Sequence, residues 1–203
     1  MAKSLTGEEK VLRLAGRQPI LRAREVARAG IPTVALSRLV DAGTLVRLGR
    51  GLYGLPNQSM SAGRGLAEAA IRIPRAVVCL LSALQAHGIG TQAPFQVWLA
   101  LPQGMTTPRS DNATLRIVHM SPAMLEDGVM HMKFDGVRVP VFNAAKTVVD
   151  CFRFRNKIGL DVALEALRDG WRKRQFTLDA LWRHAATGRM TNVMRPYIES
   201  LVA

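Results

Sequence analysis

Residues 45–55 read LVRLGRGLYGL. Two short strand-like runs, Leu45–Leu48 and Leu52–Leu55, flank the three-residue loop Gly49–Gly51. Runs of this kind, separated by three residues that include glycine, are typical of a β-hairpin. The stretch therefore predicts a tight hairpin with Arg50 at its tip.

Three short helical patterns precede this hairpin. Thr6 and Glu9 match a capping box at the start of the first helix. A second helix is predicted over about residues 23–29 and a third over about residues 33–42, each followed by a glycine that ends it. A helix, a helix-turn-helix and a hairpin, in this order, make up a winged helix-turn-helix. We therefore predict that residues 1–58 form such a DNA-binding domain.

The third predicted helix has an apolar side formed by Leu36, Leu39 and Val40 and an outward side formed by Val34, Ser37, Arg38 and Asp41. In a recognition helix the outward side enters the major groove. There Arg38 can donate to guanine O6 and N7, Ser37 can bond to a base or a phosphate, and Val34 can touch a thymine methyl group. The alternative is a merely solvated face. Asp41 favours that alternative, because phosphates repel a carboxylate unless it accepts from cytosine N4.

The hairpin adds further positive charge. Arg50 lies between two glycines, so the backbone of this thin loop can approach phosphate or the minor groove, and Arg47 lies on the adjoining strand. The candidate DNA-binding residues are Arg24, Thr33, Val34, Ser37, Arg38, Arg47, Arg50 and Tyr53.

The net charge of the whole chain agrees with a nucleic-acid partner. Its 203 residues include 28 Lys and Arg against 15 Asp and Glu, a formal net charge of +13. Such a balance favours polyanions as partners, although a GC-rich genome alone can enrich arginine. Residues 1–58 contain ten basic and four acidic side chains, and residues 59–203 contain eighteen and eleven. Because uniform codon bias does not predict this denser charge in the first part, the asymmetry favours nucleic acid.

Residues 59–203 are expected to form a second domain of mixed α+β class that ends in helices. After a small polar linker over residues 56–63, we predict two helices, two strands, a β-hairpin and a helical remainder. The predicted ranges are 65–73 and 74–87 for the helices, 95–101 and 114–119 for the strands, and 129–142 for a hairpin turning at Asp135-Gly136.

Recognisable enzyme and metal signatures are missing from the sequence. The four histidines form no zinc-ligand spacing, and no nucleophile elbow or phosphate-binding glycine loop occurs. Lys146 and Asp150, at i and i+4, are expected to form an intrahelical ion pair. We therefore expect no catalytic activity, no metal and no cofactor. The charged N-terminus and the absence of a long apolar run predict a cytoplasmic chain that does not contact membrane.

Five strings in the sequence resemble the AbiEi antitoxin family. They are the RLGRGLY string at residues 47–53, SALQAHGI at 82–89, KTVVDCFR at 146–153 with KIGLD at 157–161, and RPYIE at 195–199. The resemblance implies a winged-helix transcriptional autorepressor that is the antitoxin of a type IV toxin–antitoxin pair. Its partners would be double-stranded DNA, at inverted repeats in its own promoter, and a nucleotidyltransferase-fold toxin that it antagonises.

Three alternatives to this function stay open on the sequence alone. A solitary winged-helix regulator without a toxin would have the same sequence features. A nucleic-acid-processing enzyme could use the winged helix for delivery, and an adaptor could carry a winged helix that binds no DNA.

Overall fold

The structure is a computed structural model that describes residues 5–56, 63–106 and 115–202, with the side chain of Val202 left out. The chain divides into two compact units, Met1–Glu68 with Lys133–Val137 and Ala69–Met132 with Arg138–Ala203. Most of the linker predicted over residues 56–63 lies outside the described residues. The mixed α+β class predicted for the chain, with a winged helix first and helices last, is confirmed.

The first unit begins with three helices and a small sheet, in the order α1 (Gly7–Ala15), β1 (Leu21–Arg22), α2 (Ala23–Arg28), α3 (Val34–Asp41), β2 (Val46–Gly49) and β3 (Leu52–Gly54). The three strands are antiparallel in the order β1-β3-β2. The sequence did not predict β1, since two residues are too few for a periodic signal. β1 pairs Leu21 with Tyr53 and so makes β3 the central strand.

The capping box predicted for α1 is present. The Thr6 hydroxyl accepts from the Glu9 backbone N–H at 3.2 Å, and the Glu9 carboxylate accepts from the Thr6 N–H at 2.7 Å. Behind the helices lies a small apolar core that includes Val11, Leu21 and Leu36, all at most 1% exposed. This core fixes which side of α3 faces outward.

The remaining elements are α4 (Arg64–Arg72), β4 (Val77–Val78), α5 (Leu80–His87), β5 (Val97–Pro102), β6 (Leu115–Met120), α6 (Pro122–Glu126), β7 (Val129–Phe134), β8 (Val137–Phe142), α7 (Ala144–Arg153), α8 (Arg155–Ile158), α9 (Leu160–Arg172), α10 (Leu178–Thr187) and α11 (Thr191–Val202). The strands form a mixed sheet in the order β6-β5-β4-β8-β7, in which β4 is antiparallel to β5 and parallel to β8. The turn predicted between β7 and β8 is confirmed, with φ of 46° at Asp135 and 79° at Gly136.

The helix predicted over residues 74–87 is wrong in its first half. Val77 and Val78 form β4 in the middle of the sheet, and the helix begins only at Leu80. Two buried β-branched residues suit a central strand better than a helix turn, and pairing on both sides satisfies their backbone groups. The periodic apolar pattern of the neighbouring helix concealed this short strand in the sequence.

The helix α7 lies at the centre of the second unit and packs against α5, α9 and α10. Asn143 caps it by accepting from the Lys146 backbone N–H, and every side chain from 144 to 152 is buried. The predicted pair of Lys146 and Asp150 is confirmed, with Nζ and Oδ2 2.6 Å apart and both side chains at most 1% exposed. The predicted intrahelical pair thus lies in the core of the second unit.

Candidate nucleic-acid interface

The outward side of α3 is the first part of the candidate interface. Ala35, Leu36 and Leu39 are buried in the core of the first unit, whereas Ser37 and Arg38 are exposed and Val34 is 54% exposed. The 3.6-residue period separates these two sets around the helix. The side chains predicted to read bases therefore do lie on the outward side.

The wing, which we define as β2, β3 and the turn between them, is the second part. Arg47 pairs with Tyr53 and Gly49 pairs with Leu52, so the register shifts at Leu48. Arg50 is exposed in the turn, and Gly51 adopts a φ of 72°, which side chains other than glycine rarely adopt. The geometry places an arginine at the tip of the wing, as predicted.

One backbone hydrogen bond holds the wing to the start of α2. The Ala23 N–H donates to the Gly51 carbonyl at 2.9 Å. Arg24 follows directly on α2 and is exposed. The turn of the wing is therefore tied to the helix that carries the third candidate arginine.

Two candidates differ in character from the exposed arginines. Thr33 is the N-cap residue of α3 and is exposed, but its hydroxyl makes no capping hydrogen bond. Tyr53 is half-buried and packs against the core of the first unit from the central strand β3. The packed ring contributes to the shape of the wing.

The structure adds one charged neighbour that the sequence did not reveal. Glu8, in the first turn of α1, places Oε1 3.9 Å from Arg38 Nη1. A β-carbon at Gly7 would lie 3.7 Å from Ile31 and 3.9 Å from Ala35, so α1 begins directly against the start of α3. Glu8 lies 30 residues from Arg38, and no local pattern predicts such a contact.

The second unit contains a hydrogen-bonded polar cluster of His184, Asp127 and Asn143. His184 Nδ1 lies 2.8 Å from Asp127 Oδ2, and His184 Nε2 lies 3.3 Å from the Asn143 amide nitrogen. Because that nitrogen donates, Nε2 accepts and Nδ1 carries the proton that bonds to Asp127. Among the described residues no group of three or more His, Cys, Asp or Glu could hold a metal ion.

Both cysteines lie in the core of the second unit. Burial raises the pKa of the Cys79 and Cys151 thiols, and the nearby Asp150 carboxylate raises each further. A thiol of raised pKa is a poor nucleophile. Within the part of the chain that the structure describes, no helix is long and apolar enough to span a membrane.

The first unit, with its three helices, its wing and its outward arginines, has the arrangement of a winged helix-turn-helix. Residues 9–56 match the family model described as "Transcriptional regulator, AbiEi antitoxin". The match confirms the resemblance to AbiEi antitoxins over this segment, which holds α1 to α3 and the wing.

Most of the chain is also similar in fold to a solved structure. The crystal structure of the RV2827C protein from Mycobacterium tuberculosis is similar with a TM-score of 0.64 and 16% sequence identity, over 92% of this chain and 75% of that one. At this identity the likeness concerns the fold alone. A comparison with curated proteins found no match.

Proposed function

We propose that the chain binds duplex DNA through α3 and the wing, at inverted repeats in its own promoter, and represses its own transcription. The observation that supports this proposal most is the separation of α3 into a buried side and an outward side carrying Ser37 and Arg38. The exposed Arg50 adds a second contact point, since the turn of a wing beside a recognition helix can reach the backbone or the minor groove.

Arg38 and Arg50 are proposed to have different roles in DNA binding, because they lie on different elements. Arg38 lies on a helix that fits the major groove, where a guanidinium can donate two hydrogen bonds to one guanine. Arg50 is exposed on a narrow turn, which suits a contact with a phosphate oxygen. Arg38 thus provides sequence preference and Arg50 provides affinity.

The experiment that tests DNA binding uses the full chain. A duplex from the region upstream of its coding sequence and a scrambled duplex of equal composition are titrated at several salt concentrations. We expect tighter binding to the upstream duplex and a linear fall of log K with log salt, because bound counterions are released. Equal affinity for both duplexes at every salt concentration would contradict a sequence-specific regulator.

We further propose that the chain is the antitoxin of a type IV pair and antagonises a nucleotidyltransferase-fold toxin. The match over residues 9–56 supports this role, since its family is described as that of antitoxins. The test is co-expression with the neighbouring reading frame, when that frame encodes a nucleotidyltransferase fold. Growth arrest by the neighbour alone, relieved by this chain, supports the antitoxin. Specific DNA binding without such relief supports a solitary regulator.

A further inference from the structure

Arg64, the first residue of α4, is buried without a full set of partners. It is 6% exposed, whereas arginine is mostly exposed in folded proteins. Its Nε lies 3.4 Å from Glu68 Oε1, but its buried Nη2 has no hydrogen-bond partner in the described part of the chain. Burying a cationic donor without a hydrogen-bond partner is unfavourable. A contribution to stability therefore does not explain why the Arg64 guanidinium is buried.

The guanidinium lies against the base of the wing. A β-carbon at Gly54, the last residue of β3, would lie 2.9 Å from Arg64 Nη2, 3.0 Å from the Pro19 carbonyl oxygen and 3.1 Å from Leu48 Cδ1. Gly54 therefore leaves the space in which the head group of Arg64 is packed. The same space is bordered by Leu48, two residues before Arg50.

The register of the β2–β3 pair shifts between Arg47 and Gly49, so the ladder is irregular next to Leu48. A residue that fills the space beneath Leu48 and Gly54 limits how far the hairpin can tilt. Lysine cannot do this equally well, because its compact ammonium group lacks the flat, branched shape of a guanidinium.

We propose that Arg64 is a positioning residue for the wing. Its buried head group holds the β2–β3 hairpin at the tilt that lets Arg50 contact DNA. This inference rests on the proposed function, since it concerns the same DNA-binding surface. It adds a residue that touches no DNA and lies outside the segment matched by the family model.

The test compares Arg64→Met with Arg75→Met in the full chain. Both substitutions remove one positive charge, but Arg75 is exposed. The upstream duplex is the probe, and the salt slope is the slope of log K against log salt concentration. We expect Arg64→Met to lower the magnitude of this slope by about one unit, as Arg50→Ala does. In an Arg50→Ala background, Arg64→Met should cause no further loss of DNA affinity. In an Arg38→Ala background, the losses of affinity from the two substitutions should add. Arg75→Met leaves slope and affinity unchanged, and Arg64→Lys behaves like Arg64→Met.

A second measurement is independent of DNA. Without DNA, hydrogen exchange of the amides in residues 48–52 should be faster in Arg64→Met than in Arg75→Met, while the amides of α1 and α3 are unchanged. Faster exchange throughout the first unit would show a residue that only stabilises the fold and would overturn the proposal. Additive losses in Arg64→Met with Arg50→Ala, or an equal slope change in Arg75→Met, would overturn it as well. Should the wild-type chain not prefer the upstream duplex, the proposed function fails, and the exchange experiment still decides the role of Arg64.

Discussion

Arg38 has an acidic neighbour in the absence of DNA, and this neighbour affects how it can read a base. The Arg38 and Glu8 side chains are 70% and 45% exposed and lie 3.9 Å apart. An exposed pair of this kind contributes roughly 0–1 kcal/mol. That energy is too small to compete with a bidentate contact to guanine, but it is enough to favour one orientation of the guanidinium.

Replacing Glu8 by Gln should therefore reduce sequence preference, and Glu126→Gln, at an exposed residue of the second unit, provides the control of equal charge. Each change removes one negative charge from the chain, so both should strengthen binding to any duplex. Only Glu8→Gln is expected to reduce the ratio of upstream to scrambled affinity, by up to about fivefold, the equivalent of about 1 kcal/mol. Titrations of both variants on both duplexes measure this. An equal change of the ratio in the two variants would show that Glu8 does not orient Arg38.

A second residue-scale prediction concerns Asp169 on α9. Its carboxylate pairs with Lys173 at 2.7 Å, accepts from the Gly90 N–H at 2.8 Å and pairs with Arg172. The hydrogen bond from Lys173 above all, then that from Gly90, hold the pKa of Asp169 well below its usual range. A carboxyl whose folded pKa lies below its unfolded value stabilises the fold fully above the unfolded pKa. The contribution is lost as the pH falls towards the folded pKa.

Asp169→Asn should accordingly lower the free energy of unfolding by about 1–3 kcal/mol at pH 7, since it removes hydrogen bonds to a charged group. The difference from wild type should shrink as the pH falls below about 5, where the unfolded carboxyl begins to bind protons. Urea unfolding at a series of pH values measures both. A difference that stays constant down to pH 2 would refute the assigned role of the carboxylate.

At the scale of the element, α7 depends on a buried ion pair. Burial raises the pKa of Asp150, and the adjacent Lys146 ammonium group opposes that rise. Lys146 Nζ also lies 4.7 Å from the centre of the Phe142 ring. Removing either partner leaves the other charge buried without compensation, whereas removing both leaves an apolar core.

Lys146→Met alone should thus destabilise the protein by about 3–5 kcal/mol, and the double variant Lys146→Met/Asp150→Leu should recover most of that loss. Denaturant unfolding of the wild type, the two single variants and the double variant completes the cycle. If the loss of unfolding free energy in the double variant equals the sum of the losses in the two single variants, the two charges do not compensate each other.

The sequence predicted long elements better than short ones, for physical reasons. The helices α1 and α3 and the β7–β8 turn were predicted because caps, a 3.6-residue period and an Asp-Gly dipeptide are local signals. The strands β1 and β4 were missed, since each contains two residues and forms only because a distant strand pairs with it. Pairing with a distant strand therefore determines the conformation of these two segments.

The same distinction applies to the candidate site. The outward position of Arg38 follows from the period of its own helix, and the exposure of Arg50 follows from its two flanking glycines. The contact of Glu8 with Arg38 and the burial of Arg64 beside Gly54 join residues that are distant in sequence. Arginine composition gives no hint that one of these side chains is buried.

At the scale of the whole molecule, the domain boundary after residue 58 stays a prediction. The described elements from α1 to β3 have their own core and their own sheet. We expect residues 1–58 to fold alone but to bind the upstream duplex more weakly than the full chain, because one winged helix covers only a half-site and because the segment lacks Arg64. Thermal melts and titrations of this segment test both statements. Affinity equal to that of the full chain would exclude a contribution of the second unit to cooperative binding.

The measurement that tests the central claim most directly is a comparison of Arg38→Ala with Arg50→Ala. Both full-length variants are titrated on the upstream and the scrambled duplex at several salt concentrations. Arg38→Ala should cost about 1–3 kcal/mol on the upstream duplex only. Arg50→Ala should weaken binding to both duplexes and lower the salt slope by about one unit. If Arg38→Ala instead weakens both duplexes equally, Arg38 contacts phosphate and α3 does not read bases as described. If neither variant changes binding at low salt, the first unit does not bind DNA through this surface.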